Sequence, residues 1–160
     1  MPRDVNGNPI EVSRWKRWSG RLAGGRKSNG ELSADDPSLV VTAESFDDAQ
    51  AASSVLADSG WREHEQSVLR HLLVLPSGSV PGALELAAQD HYGPVPVPPG
   101  TGVVAAGGNE VVALARVQQI DALHVSQERS RMAGLAQRHG GSAVGWQVLQ
   151  PPTNQVAGGG

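Results

Sequence analysis

The stretch that decides the predicted fold is residues 120–150, IDALHVSQERSRMAGLAQRHGGSAVGWQVLQ. Its first part carries apolar side chains at the three- and four-residue spacing of one helix face: Val125, Met132, Leu135 and Ala136. This spacing predicts an amphipathic helix over 121–139, which the pair Gly140-Gly141 would end. Beyond the glycines, Trp146 and Val148 alternate with polar residues and predict a strand over 142–150.

The same pattern of helix and strand recurs in the first half of the chain. Residues 39–41 indicate a short strand, and Ser45 with Asp48 three residues later resembles a capping box, which predicts that a helix begins at Ser45. Apolar residues continue at helical spacing: Phe46, Ala49, Ala52, Val55 and Leu56. Gly60 would supply a left-handed C-terminal cap, and Trp61 would open the following strand.

The middle of the chain alternates between regular and irregular patterns. Residues 61–76 predict one long bent strand or a hairpin, and residues 80–91 indicate a short helix. Residues 93–102 contain seven Pro or Gly, which neither a helix interior nor a central strand accommodates, so they indicate a loop or an insertion. Residues 110–120 are typical of a buried strand.

A β-α-β unit used twice is the chain order of a ferredoxin-like α+β sandwich, in which two helices cover one face of an antiparallel sheet. Because 160 residues make about one domain, we predict a single such domain over 38–150, with an insertion at about 76–109. Residues 1–37 lack sustained periodicity and predict a flexible arm. Residues 151–160, PPTNQVAGGG, predict a disordered tail.

Charge divides the chain, whose formal net charge is −3, into a basic arm and an acidic body. Residues 1–31 carry seven Lys and Arg against three Asp and Glu, whereas the remaining residues carry six against thirteen. The arm therefore suits nucleic acid or an acidic partner, while the body would be repelled by phosphate.

Several functional classes are excluded or disfavoured by composition. The chain has no cysteine, which excludes disulfides, thiolate zinc sites, iron-sulfur clusters and cysteine nucleophiles. It also has no apolar run long enough to span a membrane, and its polar N-terminus lacks the apolar core of a secretion signal. We therefore expect a cytoplasmic protein without a membrane partner.

The arm contains one cluster in which cations and indoles alternate: Arg14, Trp15, Lys16, Arg17, Trp18 and, slightly further on, Arg21. Cations neutralise phosphates and indoles stack on bases, so we expect these residues to contact single-stranded RNA or an acidic groove of a partner protein. The same composition also suits docking onto the protein's own body.

Motifs for catalysis or for binding metals and cofactors are not found in the sequence. The five histidines form no HxxxH pair, and the glycine-rich residues 100–105 do not open a helix as a dinucleotide fingerprint requires. A GxSxG elbow and a P-loop lysine are also absent. We predict a protein that is not an enzyme and that needs no metal or cofactor.

Two Gly-Trp pairs, Gly60-Trp61 and Gly145-Trp146, stand at the predicted strand starts. Trp61, Gly145 and Trp146 are consequently candidates for one of two roles. The indoles either pack beneath the helices as core or face a partner as aromatic anchors.

These motifs resemble the RraB family (regulator of ribonuclease activity B), whose members inhibit ribonuclease E. In the first half the resemblance lies in TAESFDDAQAASSVLADSGW, residues 42–61. In the second half it lies in a spaced pattern: Ile120-Asp121-Ala122, Val125, Gln127, Met132, Leu135-Ala136, His139 and Gly145-Trp146. The resemblance implies a small ferredoxin-like domain without catalytic residues that binds ribonuclease E and restrains RNA cleavage by occupying its surface.

Three features depart from the family pattern: the basic arm, the proline-rich insertion and the lack of a strongly acidic C-terminal tail. An acidic tail could imitate RNA for a basic nuclease scaffold, so its absence leaves the partner open. We predict a protein-binding regulator of RNA turnover that binds ribonuclease E or another RNA-processing or ribosomal component. The alternatives are an RNA- or ribosome-associated protein that binds through the arm, and an accessory subunit of a larger assembly.

Overall fold

The computed structural model describes residues 2–9 and 32–153, which contain five strands and three helices. The strands are β1 (Val40–Ser45), β2 (Gln66–Pro76), β3 (Gly93–Val95), β4 (Asn109–Gln119) and β5 (Ser142–Gln150). The helices are α1 (Ala52–Ala57), α2 (Val80–Ala88) and α3 (Ala122–Arg138), and a 3-10 turn over Ser77–Ser79 precedes α2. The α+β class is thereby confirmed.

The five strands form one antiparallel sheet in the order β1-β5-β2-β4-β3. β2 and β4 pair along their whole length, from Gln66 opposite Gln119 to Pro76 opposite Asn109. Within residues 61–76, predicted as a bent strand or a hairpin, there is one strand, and it lies at the centre of the sheet. It begins only at Gln66, because residues 61–65 form a turn, so the prediction that Trp61 opens this strand is wrong.

The chain contains two β-α-β units, β1-α1-β2 and β4-α3-β5, as expected for the predicted sandwich. In the ferredoxin-like order, however, the two opening strands lie side by side at the centre. Here the closing strands β2 and β5 are adjacent, and β1 lies at the edge. The specific ferredoxin-like strand order is consequently not confirmed.

The helices cover one face of the sheet and share two apolar clusters with it. Beneath α2 and α3 the cluster includes Leu73, Leu75, Ala83, Leu114, Met132 and Leu135. Beneath α1 and α3 it includes Leu56, Leu69, Val125, Trp146 and Val148. On the opposite face Ala34, Leu39 and Val95 pack against Val68, Ala115 and Leu149. Each buried Leu or Val contributes roughly 1.5–3 kcal/mol to folding.

The first helix is much shorter than predicted, and the prediction of a capping box at Ser45 is wrong. β1 continues through Ser45, whose hydroxyl accepts from the Asp47 backbone N–H at 3.2 Å and donates to Gln50 Oε1 at 2.8 Å. The Asp47 carboxylate accepts from the Ala49 N–H at 2.9 Å, so local side-chain hydrogen bonds hold residues 46–51 in turns that compete with helix formation. The helix ends at Ala57, so Gly60 does not cap it.

The second unit follows the prediction closely. The Asp121 carboxylate caps α3 by accepting a 2.7 Å hydrogen bond from the His124 backbone N–H. Gly140 ends the helix at φ +80°, a backbone conformation that glycine adopts without strain. β5 then begins at Ser142, as predicted.

The edge beyond β4 is occupied by short segments. β3 lies within residues 93–102, which were predicted as a loop or an insertion, and it pairs with residues 113–115 of β4. It has three residues, and Pro94 within it has no N–H to offer a further strand.

Further along the same edge, residues 2–9 form a turn closed by a bridge between Arg3 and Pro9. The Asp4 backbone carbonyl accepts a 3.2 Å hydrogen bond from the Gln119 N–H, and the Gln66 side-chain amide exchanges two hydrogen bonds with the Arg3 backbone. This part of the predicted flexible arm therefore lies against β2 and β4.

The rest of the predicted arm up to Glu31, and most of the predicted tail, lie outside the described residues. Within residues 2–9 and 32–153, no helix is both long enough and apolar enough to cross a membrane.

Candidate functional site

The arm cluster predicted to contact RNA or a partner lies outside the described residues: Arg14, Trp15, Lys16, Arg17, Trp18 and Arg21. The other three candidates, Trp61, Gly145 and Trp146, lie in the described part of the chain, beneath or beside the helix layer.

Trp146 lies in the core and is 2 % exposed. On β5 it pairs with His71 of β2 on one side and with Ser45 of β1 on the other. Its indole Nε1 is buried and has no hydrogen-bond partner among the described residues. The burial places this indole where the core interpretation expects it.

Gly145 provides room for an aromatic ring. A Cβ atom at this position would overlap the ring of Phe46, which lies directly over the glycine. Trp61 is half-buried and packs against the cluster beneath α1, and its Nε1 is also buried without a partner among the described residues. The structure thus places Trp61 beside the core rather than on an open surface.

The sequence patterns did not indicate a polar network that lies between the sheet and α3. Tyr92 donates a 2.8 Å hydrogen bond to Glu128 Oε1, and its hydroxyl lies 3.4 Å from His71 Nε2. The Arg116 guanidinium lies 4.5 Å from the centre of the Tyr92 ring, in the geometry of a cation–π contact. These four side chains are all buried.

Glu128 is held between two arginines. Arg116 Nη2 lies 3.4 Å from Glu128 Oε1 without the geometry of a hydrogen bond, so this contact is Coulombic. Arg131 Nε lies 3.3 Å from Glu128 Oε2, and Arg131 Nη1 lies 3.0 Å from the Asp90 carboxylate. The buried carboxylate is thus matched by opposite charge, as buried ions require.

Burial sets the protonation states of the other two members. It lowers the pKa of His71 to about 3, with the positive charges of Arg116 and Arg129 acting in the same direction. Burial also raises the pKa of Tyr92 well above its usual range. Near neutral pH His71 is therefore uncharged and Tyr92 is protonated.

Two surface grooves flank the turn of residues 46–51. The first, which we call the edge groove, has a volume of about 360 Å³ and lies between β1 and α1. Its lining includes Val41, Glu44, Gln50, Val55 and Asp58.

The second, which we call the helix groove, has a volume of about 450 Å³ and runs between α3 and β5. Its lining includes His71, Arg129, Ser130, Ala133, Ser142 and Trp146. Within the described ranges no group of three or more His, Asp or Glu side chains is placed to hold a metal ion.

The helix groove brings together residues that no local motif connects, because His71, Trp146 and Ala133 come from two strands and a helix. Strand register places His71 opposite Trp146, and that register could not be read from the sequence. No family model matches this chain, and neither a curated protein nor a solved structure matches it.

Proposed function

We propose that the protein is a non-enzymatic, protein-binding regulator that modulates RNA turnover by occupying the surface of a partner. Its sequence resembles the ribonuclease E inhibitors, and the resemblance implies this mode of action. The observation that carries this proposal is the contrast between the two edges of the sheet. One edge is covered by the short strand β3 and by residues 2–9, whereas β1 at the other edge exposes apolar side chains.

The β1 edge has the features of a site for an extended peptide. Val40 and Val41 are 42 % and 41 % exposed, and the edge groove beside them offers room for side chains of an added strand. A peptide that pairs with an edge strand gains main-chain hydrogen bonds, while pockets beside the strand supply specificity. We therefore assign the edge groove as the contact for an extended segment of the partner.

The charges around the edge groove indicate the chemistry of that segment. Glu44 and Asp58 line the groove, and the exposed carboxylate of Asp48 lies in the adjoining turn. Val41 and Val55 supply an apolar strip between these acids. This combination favours a segment that alternates apolar and basic side chains, as expected of nuclease regions that also attract RNA.

The distribution of ionisable groups supports a role without turnover. The densest set in the described residues, around Glu128, is packed beneath α3 and contains a neutral His71 and a protonated Tyr92. The edge groove contains two acids, Glu44 and Asp58, and no His, Lys or Arg among its described lining residues.

The proposal is tested with the full-length protein and the purified scaffold region of ribonuclease E. Val41→Lys should weaken binding by at least about tenfold, because it places a cation in the path of a basic segment. Val97→Lys is the matched control, since Val97 is 40 % exposed and lies away from the edge groove. Binding should also slow hydrogen exchange of the β1 amides and reduce RNA cleavage.

A second pair of variants tests the charge argument. Asp58→Lys should weaken binding, whereas Glu63→Lys, which reverses an exposed acid outside the groove, should not. Equal binding by Val41→Lys and Val97→Lys would contradict the proposal. It would also be contradicted if the protein forms a dimer that Val41→Lys dissociates, because the β1 edge would then bind a second copy of the chain.

The same experiments separate the alternative in which the arm binds RNA. That alternative predicts RNA binding that falls steeply with salt and disappears when four cations of the arm are replaced by Ala: Arg14, Lys16, Arg17 and Arg21. If the nuclease does not bind and these variants abolish RNA binding, the arm replaces the edge groove as the functional contact.

A further inference from the structure

We propose that residues 2–9, which we call the strap, are an autoinhibitory contact. They occupy a docking site for an extended peptide on residues 116–119 of β4, and this site becomes free when the strap opens while the sheet stays folded. The proposal does not depend on the edge groove, because the strap lies beside β4, whereas β1 is at the opposite border of the sheet.

The strap lies where a further strand would lie beside β4. The short strand β3 pairs with β4 only at residues 113–115. Beyond them, the Gln119 backbone N–H donates a 3.2 Å hydrogen bond to the Asp4 backbone carbonyl. Main-chain hydrogen bonds of this kind are how extended peptides add to the edge of a sheet, so this part of β4 is a peptide site that the chain itself fills.

The sheet recognises the main chain of the strap. The Gln66 side chain accepts from the Arg3 backbone N–H at 2.8 Å and donates to the Arg3 carbonyl at 2.6 Å. The Gln118 side-chain amide donates to the Val5 carbonyl at 2.9 Å. Because these contacts are made to backbone atoms, a separate peptide with the same backbone shape can make them as well as the strap does.

Gly7 determines which backbone shape fits the site. Its φ is +80°, and a Cβ atom at this position would lie 2.7 Å from Cδ and Nε of Arg116. Arg116 is buried and held in place, since Nε donates to Gln118 and Nη1 donates to the Asp90 carbonyl. The site therefore selects a peptide that has glycine at this point of its turn.

The strap is held without apolar packing. None of its side chains belongs to the apolar clusters of the described residues. Cavities of about 340 Å³ and 150 Å³ adjoin it, the first beside β3 and the second beside Asp90 and Arg131. Segments with few buried apolar contacts open locally at a much lower free energy than the core, so we expect the strap to open before the sheet unfolds.

Hydrogen exchange of the full-length protein tests the opening. The Gln119 amide should exchange through local opening, whereas the Leu69 amide in the central strand should exchange only when the domain unfolds. Gly7→Val, which cannot adopt the turn without strain and overlap, should speed exchange at Gln119 by at least about tenfold while Leu69 stays protected. Gly60→Val is the matched control, because a Cβ atom at Gly60 meets nothing within 4 Å.

A synthetic peptide with the sequence of residues 2–9, PRDVNGNP, tests docking in trans. Added to full-length Gly7→Val, it should return the Gln119 backbone amide signal and the side-chain amide signals of Gln66 and Gln118 saturably to their wild-type positions in ¹⁵N–¹H spectra. It should not bind the wild-type protein, whose own strap fills the site. A peptide with valine in place of its glycine should not bind Gly7→Val.

Asp4→Ala replaces Gly7→Val in the same titration if Gly7→Val does not fold. It removes the carboxylate that accepts from the Asn6 and Asn8 backbone N–H groups at 2.9 Å, and so loosens the turn without a steric overlap. The proposal is overturned if Gln119 exchanges as slowly as Leu69 in the wild-type protein, if the peptide causes no saturable change in the folded variant, or if it binds the wild-type protein equally well.

Discussion

Tyr92 and Glu128 are joined by a 2.8 Å hydrogen bond in the core, where each side chain is 2 % exposed. Tyr92 precedes β3 and Glu128 lies on α3, so this bond ties the segment that leads into β3 to the helix layer. The carboxylate takes its other contacts from Arg116 and Arg131, and the stability of the domain should therefore respond to each partner.

Tyr92→Phe removes the hydroxyl and keeps the ring. We expect it to lower the free energy of unfolding by about 1–3 kcal/mol, because Glu128 loses a donor that water cannot replace. Urea unfolding followed by circular dichroism measures the change. Tyr92→Phe combined with Glu128→Gln should cost less than the two single changes together, and strict additivity would show that the hydrogen bond contributes little.

Arg116→Met should be more damaging, by about 3–5 kcal/mol, because it leaves the buried Glu128 carboxylate with weaker compensation. It also removes the 2.7 Å hydrogen bond from Arg116 Nε to Gln118 Oε1. The double variant Arg116→Met/Glu128→Met should recover part of this loss in the same unfolding assay. A double variant as unstable as Arg116→Met alone would contradict the pairing.

His71 should make the domain less stable as the solution becomes acidic. Its pKa is about 3 in the folded protein, below the ordinary value of 6.5, so the unfolded chain binds a proton first as the pH falls. Stability should therefore decline from pH 6.5 towards pH 3, by up to about 1.4 kcal/mol per pH unit. Above pH 6.5 this contribution is complete and constant.

Urea midpoints measured between pH 7 and pH 4 test this dependence. Asp121 is still ionised in this range, because hydrogen bonds from His124 outweigh the effect of burial and hold the pKa of Asp121 below 3.8. His71→Leu should flatten the profile in this range. His91→Asn, at an exposed position with φ 70°, should keep it. If His71→Leu retains the full slope, the acid sensitivity arises elsewhere.

Two glycines near the end of α3 should respond in opposite directions to Ala. A Cβ atom at Gly141 would overlap the Val74 carbonyl oxygen and crowd Leu75, so Gly141→Ala forces backbone movement and should cost at least about 1–3 kcal/mol. Gly134 lies inside α3, where a Cβ atom meets nothing within 4 Å, and Gly134→Ala should stabilise by about 0.5–1 kcal/mol. Thermal unfolding of both variants measures the two effects. Equal shifts of the unfolding midpoint in the two variants would contradict this prediction.

The second β-α-β unit could be predicted because its signals are local. Asp121 caps the helix, the apolar stripe follows helical spacing, and the Gly140-Gly141 pair stops it. The first helix is shorter than its apolar spacing predicts because Ser45 and Asp47 bond to nearby backbone groups, and this competition outweighs the spacing.

The polar core was not predictable because it depends on strand register. Arg116 and Glu128 are charged side chains, which would ordinarily be assigned to solvent. Only the pairing of β2 with β4 and the seating of α3 bring them into contact with Tyr92 and His71. The strand order, with β5 between β1 and β2, likewise results from long-range pairing that periodicity does not encode.

The protected β3 side of the sheet limits how copies of this chain could assemble. β3 has three residues and includes Pro94, and the turn of residues 2–9 lies beside it, so that side offers little for another strand to join. Within the described residues, β1 is therefore the edge strand that offers the longer border for strand addition, six residues against the three of β3. Copies that associate through their β1 edges would form closed dimers rather than fibrils, because the dimer has used the β1 edge of both copies.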